Sequence, residues 1–312
     1  MSSESKKHHY IPVFYIKNFC NEKGQIFVND KSNEKDYENI KIKYPKNIFF
    51  EWNRNNFEFD GEKNDAIEKM YGILDNDLVK TIKKVIDDEA LPGRGLKVET
   101  LRKLIFLGYL IKWRVPKNDP LVNDLKKEIT FEDFNLFGTI DQELISVDDL
   151  LSDEISQEYK RILFSGALFS NSEKYAKVFK NTFLISFQKP LFATDNPFVE
   201  LKYSDDNNDY PSFIFPITSN LLLVHCDFID KKDFGAALVS NEKYDWFIDV
   251  LYNSVQITLM WHADKYIGNE DRAVLDYYLK NVMDMSEKLD AANVNSVFYA
   301  FYILRNYKTL LT

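Results

Sequence analysis

The chain has 312 residues, of which 45% are hydrophobic and 15% aromatic, and its net charge at neutral pH is -9. This apolar content excludes a mainly disordered protein, and the acidic charge disfavours one that coats nucleic acid through phosphate contacts alone. No apolar run approaches the roughly 20 residues that span a bilayer, and two cysteines, Cys20 and Cys226, fit a reducing compartment. We therefore expect a cytoplasmic globular protein without a membrane partner.

The predicted elements of the first sixty residues are short strands and turns. Residues 25–30 (QIFVND) follow the turn residue Gly24, and the segments KIKY and NIFFEW are also strand-like. Pro45 and the Asn-rich sequence WNRNNFEFDG interrupt them. A small sheet is therefore predicted near the start of the chain.

A block of helices is predicted next. A long amphipathic helix begins near Asn64, a residue suited to the N-cap, and stops before Leu91. Its apolar positions share the spacing of one helical face: Ile67, Met70, Tyr71, Leu74, Leu78, Ile82 and Val85. A second helix is predicted over residues 99–114, ahead of Pro116, and residues 142–180 are predicted as further helices.

The second half of the chain begins with strands and ends with helices. Short apolar segments between polar turns over residues 182–230 are typical of a sheet. Helical spacing returns from about Lys243, and two more helices are predicted over residues 270–289 and 295–306. The expected fold class is α+β, with a mostly helical block and a mixed or antiparallel β-sheet built from N-terminal and central segments. Residues 1–312 are expected to form a single compact domain whose parts are residues 1–60, 64–180, 182–230 and 243–312.

The least ordinary segment is HHYIPVFYIKNF, residues 8–19. Pro12 suits the first position of a helix, because its ring already holds a helical φ angle. The residues spaced as one buried side of a short helix are Pro12, Tyr15, Ile16 and Phe19. A short helix is predicted here, and the N–H groups at a helix N-terminus form a natural anion site.

His8, His9 and Tyr10 lie just before that predicted helix. Adjacent side chains on an extended segment point to opposite sides, so the two imidazoles are not expected to hold one metal ion. One of them could act as a general acid or base, since the usual pKa of histidine is about 6.5. The alternatives are a disordered terminus with a chance pair of histidines, or a buried imidazole that bonds to backbone.

Asp195, Asn196 and Pro197 form a turn between two strand-like pieces of the sequence KPLFATDNPFVEL. Asp and Asn in such a turn can bond to their own backbone, with the proline stiffening the exit. A carboxylate that a rigid turn holds at the end of a strand is also well placed to act as a catalytic base or a metal ligand. Both interpretations of the turn remain open at this stage.

Two further polar residues are weaker candidates. Arg114 ends a helix in the sequence KWRVP and could bind phosphate or carboxylate, although a cation at a helix C-terminus also stabilises the helix dipole. Asn253 interrupts the apolar run of its helix and would need partners if buried. His225 and Cys226 are assigned to packing, because the chain has no CxxC or HExxH motif. The chain also lacks a phosphate loop and a dinucleotide fingerprint, and its 10 glycines are few for such loops.

Two stretches together resemble a known family. The sequence KKHHYIPVFYIKNF followed by GQIFVND, and LFATDNPFVEL followed by FPITSNLLLV, are similar to the prokaryotic domain-of-unknown-function family 4238. Members of that family open with a His-His-Tyr-Ile/Val-Pro segment and carry a Thr-Ser-Asp-Asn-Pro-Val-like turn. Here Ile16 replaces the usual Leu, Ala193-Thr194 replaces Thr-Ser, and Phe198 replaces Val. The resemblance implies no activity, but it marks the histidine segment and the turn as recurring family positions.

One hypothesis is a phosphoester hydrolase, most plausibly a metal-dependent nuclease of prokaryotic defence or toxin type acting on RNA or DNA. Asp195, with Asn196, would hold Mg²⁺ or Mn²⁺ or activate water. His9, with His8 as its substitute, would protonate the leaving oxygen. The residues that would bind substrate are Tyr10, Arg114 and Asn253. The acidic net charge of the chain argues against this hypothesis.

The alternative hypothesis is a non-catalytic sensor or protein-binding module. The HHYIP segment, residues 8–19, would then pack beneath the second sheet. His9 would bond to the Asp195 turn and so close the fold. A protein partner or a homo-oligomer would use the acidic, aromatic-rich surface.

Overall fold

The computed structural model describes most of the chain. The described residues are 7–32, 39–55, 57–59, 62–64, 66–89, 96–134, 137–140, 143–146, 153–167, 181–201, 212–226 and 245–282. They form an α+β fold with antiparallel sheets, which confirms the predicted fold class. The helix predicted over residues 295–306 lies outside the described residues.

Six helices of the described residues lie where the sequence predicted helix, and one more, over residues 119–128, was not predicted. They are α1 (Val13–Lys17), α2 (Ala66–Lys84), α3 (Val98–Arg114), α4 (Asp119–Glu128), α5 (Asp153–Ala167), α6 (Asp245–His262) and α7 (Arg272–Val282). A π-helical turn, Val85–Glu89, extends α2. Helix α3 ends where Val115 becomes extended, as expected for a residue that precedes a proline.

The strands are short. They are β1 (Lys7–His9), β2 (Ile26–Asp30), β3 (Lys41–Lys43), β4 (Phe50–Trp52), β5 (Phe57–Phe59), β6 (Glu62–Asn64), β7 (Phe137–Ile140), β8 (Glu143–Ser146), β9 (Thr182–Ser186), β10 (Ala193–Thr194), β11 (Val199–Leu201), β12 (Ser212–Thr218), β13 (Leu221–His225) and β14 (Tyr266–Asn269). Strand β1 pairs with β4, and the neighbours β5–β6 and β7–β8 form hairpins.

The first four-stranded sheet joins distant parts of the chain in the order β10-β14-β2-β3, with antiparallel pairing throughout. Gly268 of β14 is opposite Val28 of β2 on one side and Ala193 of β10 on the other. The N-terminal and central segments therefore share one sheet, as the sequence predicted, and a strand from near residue 267 lies between them.

The second sheet has the order β11-β12-β13-β9 and is covered on both faces. Phe215 and Leu223, which are opposite each other, pack with α3, whereas Ile214 and Val224 pack with α6 and α7. Successive strand residues point to opposite faces. Both faces are buried, which explains why the segments SFIFPIT and LLLVH read as unbroken apolar runs.

The HHYIP segment packs into the core beneath this second sheet. Pro12 is extended and precedes α1, so the helix begins one residue later than predicted. Tyr15 is fully buried, stacks on the Phe215 ring at 5.5 Å with nearly parallel planes, and donates its hydroxyl to the Pro216 carbonyl at 2.6 Å. Ile16 and Phe19 are also fully buried. The segment therefore contributes to the core of the fold.

Two predicted boundaries are wrong. Asn64 lies in strand β6 and does not cap α2, which begins at Ala66. The stretch predicted as helix from residue 142 begins with strand β8, in which Glu143 pairs with Ile140 of β7. In both places the two strands of a hairpin are close in sequence, so local pairing competes with the helical pattern.

Candidate functional site

The two histidines lie on opposite faces of the ribbon that β1 forms with β4. Lys7 is opposite Trp52, His8 is opposite Glu51, and His9 is opposite Phe50. His8 is only 3% exposed, and its Nδ1 accepts the backbone N–H of Asn55 at 2.6 Å. His8 therefore faces the interior and holds the turn after β4, whereas Lys7, His9 and the two aromatic residues share the other face.

His9 is partly buried beside the Phe50 ring, with ring centroids 5.6 Å apart. Burial lowers the pKa of His9, and a contact with the Lys46 backbone and the charge of Glu68 oppose this shift. Within the described part of the chain, the buried Nε2 of His9 has no hydrogen-bond partner. The imidazole is therefore neutral near pH 7 and has one unused nitrogen.

Tyr10 lies near enough to Asp195 for the charge of that carboxylate to affect its hydroxyl. The Tyr10 N–H donates to the Phe49 carbonyl at 3.1 Å, and its side chain is buried. Burial raises the pKa of Tyr10, and the negative charge of Asp195 raises it further. The structure describes both His9 and Asp195, and no hydrogen bond joins the imidazole of His9 to the carboxylate of Asp195. The expected bond between His9 and the turn is therefore not present.

The guanidinium of Arg114 is held from three sides. Nη1 donates to Asp75 at 3.1 Å, Nη2 donates to the His9 carbonyl at 2.8 Å, and the group lies 4.0 Å from the centroid of Tyr71. Arg114 is 5% exposed. Burial raises the pKa of Asp75, and the arginine opposes that shift. Arg114 thus ties the HHYIP segment to α2 and is not open to a phosphate.

Sequence reasoning missed a second buried ionic cluster next to Arg114. Arg54 donates to both oxygens of Asp119, at 2.6 and 3.1 Å, and Arg161 donates to the same carboxylate at 2.8 Å. Nε of Arg161 is also 2.7 Å from Glu158, whose other oxygen accepts the Tyr71 hydroxyl at 3.0 Å. Apart from Glu158 and Arg161, which are one helical turn apart on α5, these residues are distant in sequence, so only the fold brings them together.

The Asp195 carboxylate binds a distant backbone segment. Oδ1 accepts the N–H of Asp264 at 2.9 Å, and Oδ2 accepts the N–H groups of Lys265 and Tyr266 at 2.7 and 3.0 Å. Burial raises the pKa of Asp195, and these three bonds oppose the shift. The side chain therefore aligns the start of β14 beside β10, where the sequence had suggested a bond to its own local backbone.

Asn196 and two lysines cover the C-terminal end of α6. Asn196 Nδ2 donates to the His262 carbonyl at 3.3 Å, as does Lys117 Nζ, also at 3.3 Å. Lys31 Nζ donates to the carbonyls of Met260 and Ala263 at 3.1 and 2.6 Å. Cations are favourable at a helix C-terminus. Burial and the nearby lysines lower the pKa of His262 to about 4, so its ring is neutral.

The remaining sequence candidates have structural partners. Asn253 is exposed on α6 and accepts the Tyr278 hydroxyl of α7. His225 is buried, and its Nδ1 lies 3.1 Å from the Thr182 hydroxyl. Cys226 is also buried, and its backbone N–H donates to the Asn181 carbonyl at 3.2 Å. Among the described residues, no three His, Cys, Asp or Glu side chains are grouped so that they could hold a metal ion. In the same part of the chain, no helix has the length and apolar character to cross a membrane.

A cleft of about 190 Å³ lies next to the ribbon, between β3 and β4. Lys41 and Lys43 of β3 line one wall, and Phe49 and Phe50 line the other. The remaining lining residues are Val28, Asp30, Asn39, Asn47, Ile48 and Tyr266. Sequence reasoning missed this cleft. The available signal was the pair of lysines in the segment KIKY and the three aromatic residues in the segment FFEW.

Comparison with models of known protein families assigns the chain to a family. The model of the family described as "Protein of unknown function (DUF4238)" matches residues 7–273, so the chain belongs to this family and the resemblance noted from the sequence is confirmed. No curated protein and no solved structure matches the chain.

Proposed function

For this member of the DUF4238 family, we propose that the chain is a non-catalytic binding module or sensor. The HHYIP segment and the Asp195 turn are structural elements in this proposal. One observation carries it: the Asp195 carboxylate, which was the expected base or metal ligand, already accepts three backbone N–H groups.

The bonds of Asp195 leave it poorly suited to catalysis. The residue is 3% exposed, and a metal ion at either oxygen would compete with N–H donors at 2.7 to 3.0 Å. Those N–H groups belong to residues 264–266, next to the sheet. A buried N–H group that loses its acceptor costs about 1–3 kcal/mol. Binding of a metal ion by the Asp195 carboxylate would therefore be costly, and the carboxylate is better suited to bridging β10 and β14.

Arg114 supports the same proposal. An arginine that clamps phosphate needs donors directed at the ligand, whereas this guanidinium donates to Asp75 and His9 and stacks on Tyr71. Its removal would leave the partly buried carboxylate of Asp75 without its ion-pair partner. The arginine is therefore assigned to the attachment of the HHYIP segment.

The test compares Asp195→Asn with Asp264→Asn, a matched control in which the altered carboxylate is exposed. Asp195→Asn places an amide N–H against at least one backbone N–H, so we expect its free energy of unfolding to fall by about 1–3 kcal/mol. The control is expected to change by less than about 0.5 kcal/mol. The wild type is assayed in parallel for hydrolysis of RNA, DNA and nucleotides with Mg²⁺ or Mn²⁺. Metal-dependent hydrolysis that disappears in Asp195→Asn while stability is kept would contradict the proposal.

A phosphoester hydrolase of nuclease type is the second candidate, and the unused Nε2 of His9 favours it. A neutral imidazole beside Lys7 has the protonation state of a general base. Because that nitrogen is buried, the ribbon would have to open for substrate to reach it. The measurement is turnover by His9→Gln. Turnover by the wild type, with a large loss in His9→Gln and unchanged stability, supports the hydrolase; no turnover by the wild type eliminates it.

A further inference from the structure

We propose that the cleft between β3 and β4 binds a nucleotide, with its phosphate at Lys41 and Lys43 and its base on the exposed ring of Trp52. This inference rests on the proposed function as a binding module and assigns its ligand. The nucleotide has two sources with the same chemistry: a free mononucleotide, or a nucleotide within single-stranded RNA or DNA.

The register of the first sheet directs both lysines into the cleft. Lys41 is opposite Val28 and Lys43 is opposite Ile26, so all four share one face of the sheet. In the part of the chain that the structure describes, neither lysine is in an ion pair. Lys7 does not line the cleft, but its ammonium group lies over the ring of Phe50 and donates to Asn47 at 3.3 Å, and both of these residues do line it. Two lysines in the lining and a third at the edge therefore concentrate positive charge on a chain whose net charge is -9, which makes the cleft locally attractive to an anion.

The single carboxylate among the lining residues, that of Asp30, is already compensated. Its Oδ1 accepts the hydroxyl and the backbone N–H of Ser32 at 2.6 and 3.1 Å. Its Oδ2 is 4.0 Å from the ammonium group of Lys265. These contacts reduce the repulsion that a phosphate would meet at this wall.

Trp52 follows Phe50 on the same face of β4 and extends the aromatic surface beyond the lining of the cleft. Trp52 is 60% exposed, and its ring meets the edge of the Phe50 ring with centroids 5.6 Å apart. The ammonium group of Lys7 lies 4.7 Å from the Phe50 centroid and 5.5 Å from that of Trp52. Proteins commonly bind unpaired bases on exposed aromatic rings next to cationic side chains, because every base has a flat face that can stack on a ring.

The size of the cleft limits its occupant. About 190 Å³ is smaller than the cavities of roughly 300–1,000 Å³ that enclose drug-sized ligands. A phosphate with its sugar can enter, while the base remains on the outer ring of Trp52. Asn47 lines the same cleft, and while its oxygen accepts from Lys7, its amide N–H groups can donate to sugar or phosphate oxygens.

The test measures binding of the full chain to a labelled 12-nucleotide single strand of RNA or DNA by fluorescence anisotropy, and to AMP and GMP by calorimetry. We expect at least a tenfold loss of affinity in Lys41→Gln/Lys43→Gln and in Trp52→Ala. The matched control is Lys80→Gln/Lys83→Gln, which removes the same charge from exposed positions of α2. Three phosphate contacts predict that affinity for the single strand falls about 20-fold between 50 and 200 mM salt.

Each outcome decides a point. Binding of the oligonucleotide alone identifies a single strand as the source, and binding of AMP or GMP identifies a free nucleotide. Absence of binding to all probes overturns the inference, as does an equal loss in the control, which would show a mere net-charge effect. The Asp195→Asn unfolding experiment is independent of these ligands, so failure here leaves the proposed non-catalytic role separately testable.

Discussion

Replacement of Gly108 by alanine tests the packing between α3 and the second sheet. A Cβ atom at this position would lie 2.7 Å from Cδ2 and Cε2 of Phe198 and 3.3 Å from Cδ1 of Phe215. Carbon atoms normally approach to about 3.5–4.0 Å, so two contacts are short by about 1 Å. The Phe198 ring cannot easily retreat, because the rings of Tyr109 and Phe213 are each centred 4.8 Å away.

The expected magnitude follows from two opposing effects. Overpacking a core costs about 1–3 kcal/mol, and two contacts at 2.7 Å place this site near the upper value. Alanine recovers about 1 kcal/mol of helix propensity relative to glycine. We therefore expect Gly108→Ala to lower the free energy of unfolding by about 2 kcal/mol.

The matched control is Gly72→Ala in α2, where an added Cβ would have no neighbour within 4 Å. This variant is expected to gain about 0.5–1 kcal/mol from helix propensity alone. Both values are measured by urea denaturation followed by circular dichroism. Stabilisation of similar size in both variants would refute the packing argument. A further check is Phe198→Leu in the Gly108→Ala background, which should restore part of the loss because it removes the obstructing ring.

Three other predictions concern the polar interior. The pKa of His262 is about 4 in the folded chain and about 6.5 in the unfolded chain, so the unfolded state binds a proton first as the pH falls. The free energy of unfolding should therefore drop by about 1.3 kcal/mol from pH 7.5 to 5.5. Denaturation of His262→Gln at a series of pH values should show a smaller dependence on pH. Arg114→Lys keeps the positive charge but loses the forked guanidinium that donates to two acceptors. We expect its free energy of unfolding, measured by thermal denaturation, to fall by about 1–3 kcal/mol. The control Arg102→Lys, on the exposed face of the same helix, should change it very little. Tyr15→Phe removes a buried hydroxyl that is hydrogen-bonded at 2.6 Å, so it should lower the free energy of unfolding by about 1–2 kcal/mol. The control Tyr277→Phe alters a residue that is 60% exposed and should have no effect. Equal values for the two variants would show that the buried hydrogen bond contributes no stability.

Regular local patterns explain what could be predicted from the sequence. The apolar spacing of α2, α3 and α6 survives in the structure because each helix buries one side in a core. The opposed directions of His8 and His9 follow from strand geometry alone. The buried side of α1, with Tyr15 and Ile16, and the buried Phe19 just after the helix were also visible in the spacing.

The candidate site could not be derived in the same way, because its contacts are long-range. Asp195 bonds to residues 264–266, and no local pattern distinguishes that carboxylate from one that serves its own turn. Strand β14 has the sequence YIGN, which is too short to show alternation. The cleft arises where β3 and β4, both of three residues, pack near each other. Its lysines and aromatic rings became significant only once their shared position was known.

The central position of β14 in the first sheet has a consequence for synthesis on the ribosome. Val28 and its partner Gly268 are 240 positions apart, so at about 5–20 residues per second β2 waits roughly 12–50 s for its neighbour to emerge. During that interval one edge of β2 is open to wrong pairing. Nascent chains stalled before residue 266 should therefore engage chaperones, and slowing translation should lower the yield of native protein.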